Sequence, residues 1–170
     1  MSDNIVLIGM PGAGKSTIGV LLARQLGYSF IDTDLVIQDQ FEQRLQDVVD
    51  QLGQDKFRQL EAETCINLRC HHAIVATGGS VVYSAQAMAA LRKLGSVIWL
   101  NLPFPEIESR VNAFPDRGLA IQPGQTLEDL YNERMPLYQQ FAHVEVDATG
   151  LDPANLVKAI ILKSAVGKAW

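Results

Sequence analysis

The stretch Ile5-Val6-Leu7-Ile8-Gly9-Met10-Pro11-Gly12-Ala13-Gly14-Lys15-Ser16 decides the fold. Its first four residues are apolar and largely β-branched, the pattern of a strand buried on both faces. Glycines at 9, 12 and 14 break that strand. Ile18, Leu21, Leu22 and Leu26 then recur at helical spacing up to a stop at Gly27. Gly9 to Ser16 fit the pattern G-x-x-x-x-G-K-[ST], in the strand–turn–helix setting that the pattern requires. Such glycines let successive backbone N–H groups turn inward as a nest for an anion, and the positive end of the following helix adds to it. A glycine-rich turn with a chance lysine is the plainer alternative, and the flanking strand and helix argue against it.

Outward from this loop the chain keeps alternating. Tyr28 to Ile31 reads as a second strand that ends at Asp32-Thr33-Asp34. A long helical region follows from about Leu35 to Cys70, broken near Gly53. Ala73 to Ala76 is a third buried strand, ended by Thr77-Gly78-Gly79-Ser80. A helix over Ala85–Leu94, a strand over Val97–Leu100 and a helix over Pro105–Val111 come next. Residues 112–125 hold Pro115, Gly118, Pro123 and Gly124 with no steady period, which predicts a loop of the kind that serves as a lid. Thr126 with Asp129 resembles a capping box, so a helix restarts there and runs to about Phe141. Val144 to Val146 is a last strand, and Asp152-Pro153 opens a final helix. Five short strands alternating with helices, with no repeat or linker, predict a single α/β domain over residues 1–170. The architecture expected is a three-layer α/β/α sandwich on a five-stranded parallel sheet.

Composition narrows the partners. At 48% hydrophobic and 19% charged over 170 residues, the chain is neither disordered nor fibrous. A net charge of −5 argues against nucleic acid as a partner, and no apolar run is long enough to span a membrane. Met1-Ser2-Asp3-Asn4 lacks a basic n-region, so a cytoplasmic location is expected. Cys65 and Cys70, with His71 and His72 behind them, form one cluster where zinc needs paired ligands at both ends of a loop; they read as reduced thiols. Lys15 is expected to stand exposed to the β- and γ-phosphates of a nucleoside triphosphate, with the Ser16 hydroxyl on Mg²⁺. The N-K-x-D string of a GTPase and the S-G-G-Q string of a transport ATPase are both missing, which leaves a phosphotransferase.

Two residues apart at a strand end beside the loop, Asp32 and Asp34 can face different ligands, one a metal shell and the other an acceptor, or one of them can merely cap the next helix. Arg58 has Asp55 and Glu61 three positions away on each side, so a solvated helical ion pair is its plain reading. Taken in order, several pieces carry a resemblance to a known family. They are Gly9 to Thr17, Asp32-Thr33-Asp34, Phe57-Arg58 with Glu61, Thr77-Gly78-Gly79, Arg117, and Glu133-Arg134-Met135-Pro136-Leu137-Tyr138. With them the chain resembles the shikimate kinase family over nearly its whole length.

The resemblance implies a P-loop, nucleoside-monophosphate-kinase-like fold and ATP with Mg²⁺ as cofactors. Gly12, Ala13, Gly14, Lys15, Ser16 and Thr17 would hold ATP, Arg110 would lie near the adenine, and Arg117 would arrive with the lid. Ser16 and Asp32 would serve the metal. Lys15, Asp34 and Arg117 would form the catalytic set, with Asp34 on the acceptor hydroxyl. Phe57, Arg58, Gly78, Gly79, Ser80 and Arg134 would surround a small-molecule carboxylate, much of it within a substrate-binding helical region at about 33–62. A monomer is expected.

Three positions depart from the family pattern: Ser80 stands for a third glycine, Val49 for a second pocket aromatic, and Gly118 for a proline after Arg117. All lie on the acceptor side. They keep open a related kinase for another small hydroxy acid such as homoserine, and a non-catalytic nucleotide-binding regulator. An intact Asp32, Asp34 and Arg117 argue against the regulator.

Overall fold

Every side chain of β1 (Asn4–Ile8) and β3 (Ala73–Ala76) is buried, which accounts for their unbroken apolar runs. In the computed structural model, which describes residues 3–114, 119 and 121–164, these two strands sit at the centre of one sheet. It is completed by β2 (Ser29–Asp32), β4 (Gly95–Asn101) and β5 (Val144–Asp147) in the order β2-β3-β1-β4-β5, all parallel. Parallel pairing needs a crossover between strands, and helices supply it. They are α1 (Lys15–Leu26), α2 (Thr33–Phe41), α3 (Leu45–Leu52), α4 (Gln54–Asn67), α5 (Ala85–Leu94), α6 (Phe104–Ala113), α7 (Leu127–Phe141) and α8 (Pro153–Lys163). Helices flank the sheet, so the expected α/β/α sandwich is present. Among the described residues no helix is long and apolar enough to cross a membrane.

Two details stand outside the sequence expectation. The helical region after β2 is broken twice, not once: Gly53 separates α3 from α4, and residues 42–44 separate α2 from α3. At the earlier break Glu42 takes a left-handed conformation (φ 53°) and its N–H closes on the Gln38 carbonyl. That position has no glycine to announce it. A short 3₁₀ turn at Val81–Tyr83, for which the sequence gives no expectation, also follows β3. The capping box at Thr126 and Asp129 is formed as expected, with reciprocal hydrogen bonds of 3.0 Å.

Two apolar clusters hold the domain. The larger surrounds the sheet; the smaller joins Ile37, Val48, Val49 and Phe57 from α2, α3 and α4. At the amino end of the sheet one buried polar side chain does the fastening. Asn4, 1% exposed, donates to the carbonyls of Cys70 (3.0 Å) and Leu94 (2.9 Å) and accepts from the Ala73 N–H (3.0 Å). It thereby ties the start of β1 to the residues that lead into both neighbouring strands. Asn4→Ala leaves those groups in a dry site, and each such loss costs about 1–3 kcal/mol. We expect urea unfolding to show a stability loss of about 3 kcal/mol at an unchanged m-value, with the catalytic end of the sheet undisturbed.

Candidate active site

The carboxyl ends of β1, β2 and β3 converge on one cavity of about 280 Å³, as parallel sheets of this kind dictate. Gly9 ends β1 with φ 147°, and a Cβ there would come within 2.8 Å of the Leu100 carbonyl oxygen, so only glycine lets the loop leave the strand here. Gly12, Gly14, Lys15, Ser16 and Thr17 line the cavity; Ala13, also expected in the nucleotide site, is buried in the main core. Lys15 faces the cavity and little else. Its side chain is only 8% exposed, and Nζ donates to the carbonyls of Gly9 (2.8 Å) and Met10 (2.9 Å). Burial pushes its pKa down to about 8, against the pull of Asp34. The physical reason is that the loop curls round the lysine stem, so the ammonium is reached from the cavity alone. On the loop's outer side Arg110 donates to the Gly12 carbonyl (3.2 Å), while also lying 3.6 Å from Glu106.

Asp32 does both of the things its position allowed. One oxygen caps α2 by accepting the Asp34 N–H (2.9 Å), and the other accepts the Ser16 hydroxyl at 2.6 Å. A hydroxyl and a carboxylate side by side at the phosphate loop are the hard oxygen donors that Mg²⁺ takes alongside phosphate and water. The residues therefore fit the ion. Asp34, half-buried on the cavity wall, has its pKa raised to about 6 by burial and by the Asp32 charge, with Lys15 opposing.

Beyond Asp34 the cavity becomes an acceptor-sized end walled by Phe57, Glu61, Thr77, Gly78, Gly79, Ser80 and Arg134. Glu61 is 2% exposed and accepts the Ser80 hydroxyl. Burial, then the Asp34 charge, raises its pKa to about 7. A Cβ on Gly78 would lie 1.6 Å from Glu61 Oε1, so any side chain at 78 would evict the carboxylate. A Cβ on Gly79 would press on Arg134 Nη1 at 2.7 Å, so the glycine is what lets this guanidinium lie against the backbone. Tyr138 holds that backbone from beneath by donating to the Gly79 carbonyl (2.7 Å).

Some expected residues are placed elsewhere. Arg58 forms no ion pair with Asp55 or Glu61; its guanidinium lies over the Tyr83 ring at 4.3 Å, beside a neighbouring cavity that shares Ser80 with the first. Val49 is buried in the small cluster, and the apolar wall that accompanies Phe57 is supplied by Leu45 instead. Leu119, from the segment read as a lid, also lines the cavity, and Gln54 donates to the Ile121 carbonyl from the start of α4. Arg117 lies outside the described residues. Sequence reading missed Leu45 because its helix phase depends on the unannounced break at Glu42. It missed Tyr83 because a lone tyrosine after a glycine turn carries no motif.

Known proteins agree with this layout. The family model for shikimate kinase matches residues 11–165. Shikimate kinase of a Sulfurihydrogenibium species is 32% identical over 163 residues, covering 94% of this chain and 96% of its own length. Shikimate kinase 2 of Dickeya chrysanthemi is 37% identical over 162 residues, covering 92% and 93%. Among solved structures, shikimate kinase from Acinetobacter baumannii in complex with shikimate superposes with a TM-score of 0.86 at 30% identity, over 95% of this chain and 92% of that one.

The two raised acids give a direct check of the geometry. In a carboxyl-carbon NMR titration Asp34 should titrate near 6 and Glu61 near 7. Asp34→Asn removes the anion that opposes Glu61 ionisation, so the Glu61 midpoint should move down; an unmoved midpoint would separate the two groups.

Proposed function

This chain belongs to the shikimate kinase family, and we propose on that basis that it transfers the γ-phosphoryl group of ATP to the 3-hydroxyl of shikimate. One observation carries the acceptor half of the proposal. Arg134 is 2% exposed, lines the cavity, and among the described residues has no carboxylate oxygen within 4 Å. A buried cation with no carboxylate in direct contact is costly, and an anionic ligand relieves that cost. In a chain of net charge −5 this local cation supplies the attraction that the global field denies a carboxylate.

On this reading Gly12 to Thr17 cradle the phosphates with backbone N–H groups, and Lys15 supplies the fixed positive charge. Ser16 and Asp32 hold Mg²⁺, which when bound neutralises charge on the phosphate oxygens. Arg110 borders the nucleotide from outside the loop. Asp34 accepts a hydrogen bond from the acceptor hydroxyl and takes its proton. Its raised pKa near 6 leaves it ionised at neutral pH yet basic enough for the task. Arg134 and Arg58 present planar forks to the substrate carboxylate, and Gly78 and Gly79 let the acceptor approach the backbone. Phe57 lies along the acceptor's apolar edge. Arg117 closes with the lid at about 112–125 and balances charge between donor and acceptor while water is shut out. The whole chain, 1–170, acts as one domain, with the acceptor held by the region at about 33–62, and works as a cytoplasmic monomer.

The alternative acceptor, another hydroxy acid served by Ser80, loses part of its motive: the Ser80 hydroxyl gives its one proton to Glu61 and keeps only acceptor capacity for a ligand.

An ATP-consumption assay across shikimate, quinate, homoserine and gluconate tests the assignment. Shikimate should give the highest kcat/KM, with its methyl ester at least about tenfold lower because each lost charged hydrogen bond is worth about 1.5–3 kcal/mol. Preference for homoserine, or equal use of the ester, would overturn it. Separately, Arg117→Ala should lower kcat by roughly 10³-fold with little change in ATP affinity; a pure affinity loss would make Arg117 an ordinary binding residue.

A further inference from the structure

Two guanidinium groups share one aromatic ring. The ring of Tyr83, in the 3₁₀ turn after Ser80, has the Arg58 guanidinium 4.3 Å from its centroid and that of Arg134 at 5.3 Å. The Tyr83 hydroxyl accepts from Arg134 Nε (3.4 Å) and donates to Glu133, whose other oxygen accepts from Gln125 (3.2 Å). Arg58 Nε is buried and, among the described residues, meets no hydrogen-bond partner. The turn that carries the ring is anchored by Val81 and Val82, both in the main core.

From this arrangement we propose that Tyr83 is a positioning residue, a shelf that sets both guanidinium forks for the acceptor carboxylate. The proposal rests on the carboxylate reading above and deepens it. The chemistry favours a ring over an acid in this place. A carboxylate beside each arginine would hold it, but would also occupy the N–H edges that a substrate must use. A ring face attracts a cation through its quadrupole, fixes the guanidinium plane, and leaves those edges open apart from Arg134 Nε, which donates to the Tyr83 hydroxyl. The hydrogen bond to Glu133 places partial negative charge on the phenol oxygen and so strengthens the ring as a cation acceptor. Glu61 is held by Ser80, so this shelf is what orders Arg58 here.

The test uses Tyr83→Leu and Tyr83→Met, which remove the ring, and Tyr83→Phe, which keeps it. For the first two, KM for shikimate should rise about tenfold, as expected for two cation–π contacts, while KM for ATP stays within about twofold. Their preference for the acid over its methyl ester should shrink in step, and Tyr83→Phe should stay within about threefold of the wild type. Acceptor KM and ester preference unchanged in both ring-less variants would overturn the shelf. So would parallel losses for ATP and acceptor, which mark a general folding defect, or a Tyr83→Phe variant as impaired as Tyr83→Leu. A wild-type enzyme indifferent to the ester would instead remove the carboxylate reading beneath it.

Discussion

Asp32 joins the two halves of the site. Its carboxylate holds the Ser16 hydroxyl with one oxygen and the first turn of α2 with the other, so the phosphate loop and the start of the acceptor region hang from one side chain at the end of β2. Position along β2 is in turn set by its pairing with β3, where Asp32 stands opposite Ala76. Thr77 then ties the end of β3 to β1 through the Leu7 carbonyl (2.9 Å), and Thr33 accepts the Gly78 N–H (3.2 Å). The sheet register thus fixes where the phosphate loop, the Gly78 turn and the start of α2 stand relative to one another.

Around that post the site stores an unusual density of buried charge. Lys15, Glu61 and Arg134 are all buried, and Asp34 is half-buried between them. Each shifts the others: Asp34 supports the Lys15 ammonium and opposes Glu61 ionisation, while Arg134 does the reverse for both. Such a group of charges in a poorly solvated space carries strong mutual fields, which suits a reaction that moves a highly charged group over a short distance. It also means that no member can be changed in isolation, because removing one charge resets the protonation of its neighbours.

How much of this could be read from the chain divides along a physical line. Local rules announce local features: the apolar run before Gly9, the spacing of Lys15 and Ser16, the cap at Asp32 and the box at Thr126 all follow from a few adjacent residues. The parallel sheet follows from the alternation of strands and helices. What escaped needs contacts far apart in sequence. The burial of Lys15 depends on how the loop folds back, and the direction of Arg58 depends on a ring some 25 positions later. Leu45 reaches the cavity wall because a left-handed residue, Glu42, sets where its helix begins, while Val49, one turn further on, is buried in the small cluster. Tertiary context chose each of these over local preference.

The small cluster of Ile37, Val48, Val49 and Phe57 stands apart from the apolar layers of the sheet. Helix α4 belongs to both, since its Ala62 and Cys65 lie in the larger cluster, whereas α2 and α3 contribute only to the small one. A segment held this way is of the kind that opens locally at a cost below that of global unfolding. The same separation bears on how such a protein diversifies. Substitutions on the part of the acceptor wall that Leu45 and Phe57 supply are met first by the few side chains of the small cluster, so that part can change shape with little effect on the nucleotide half.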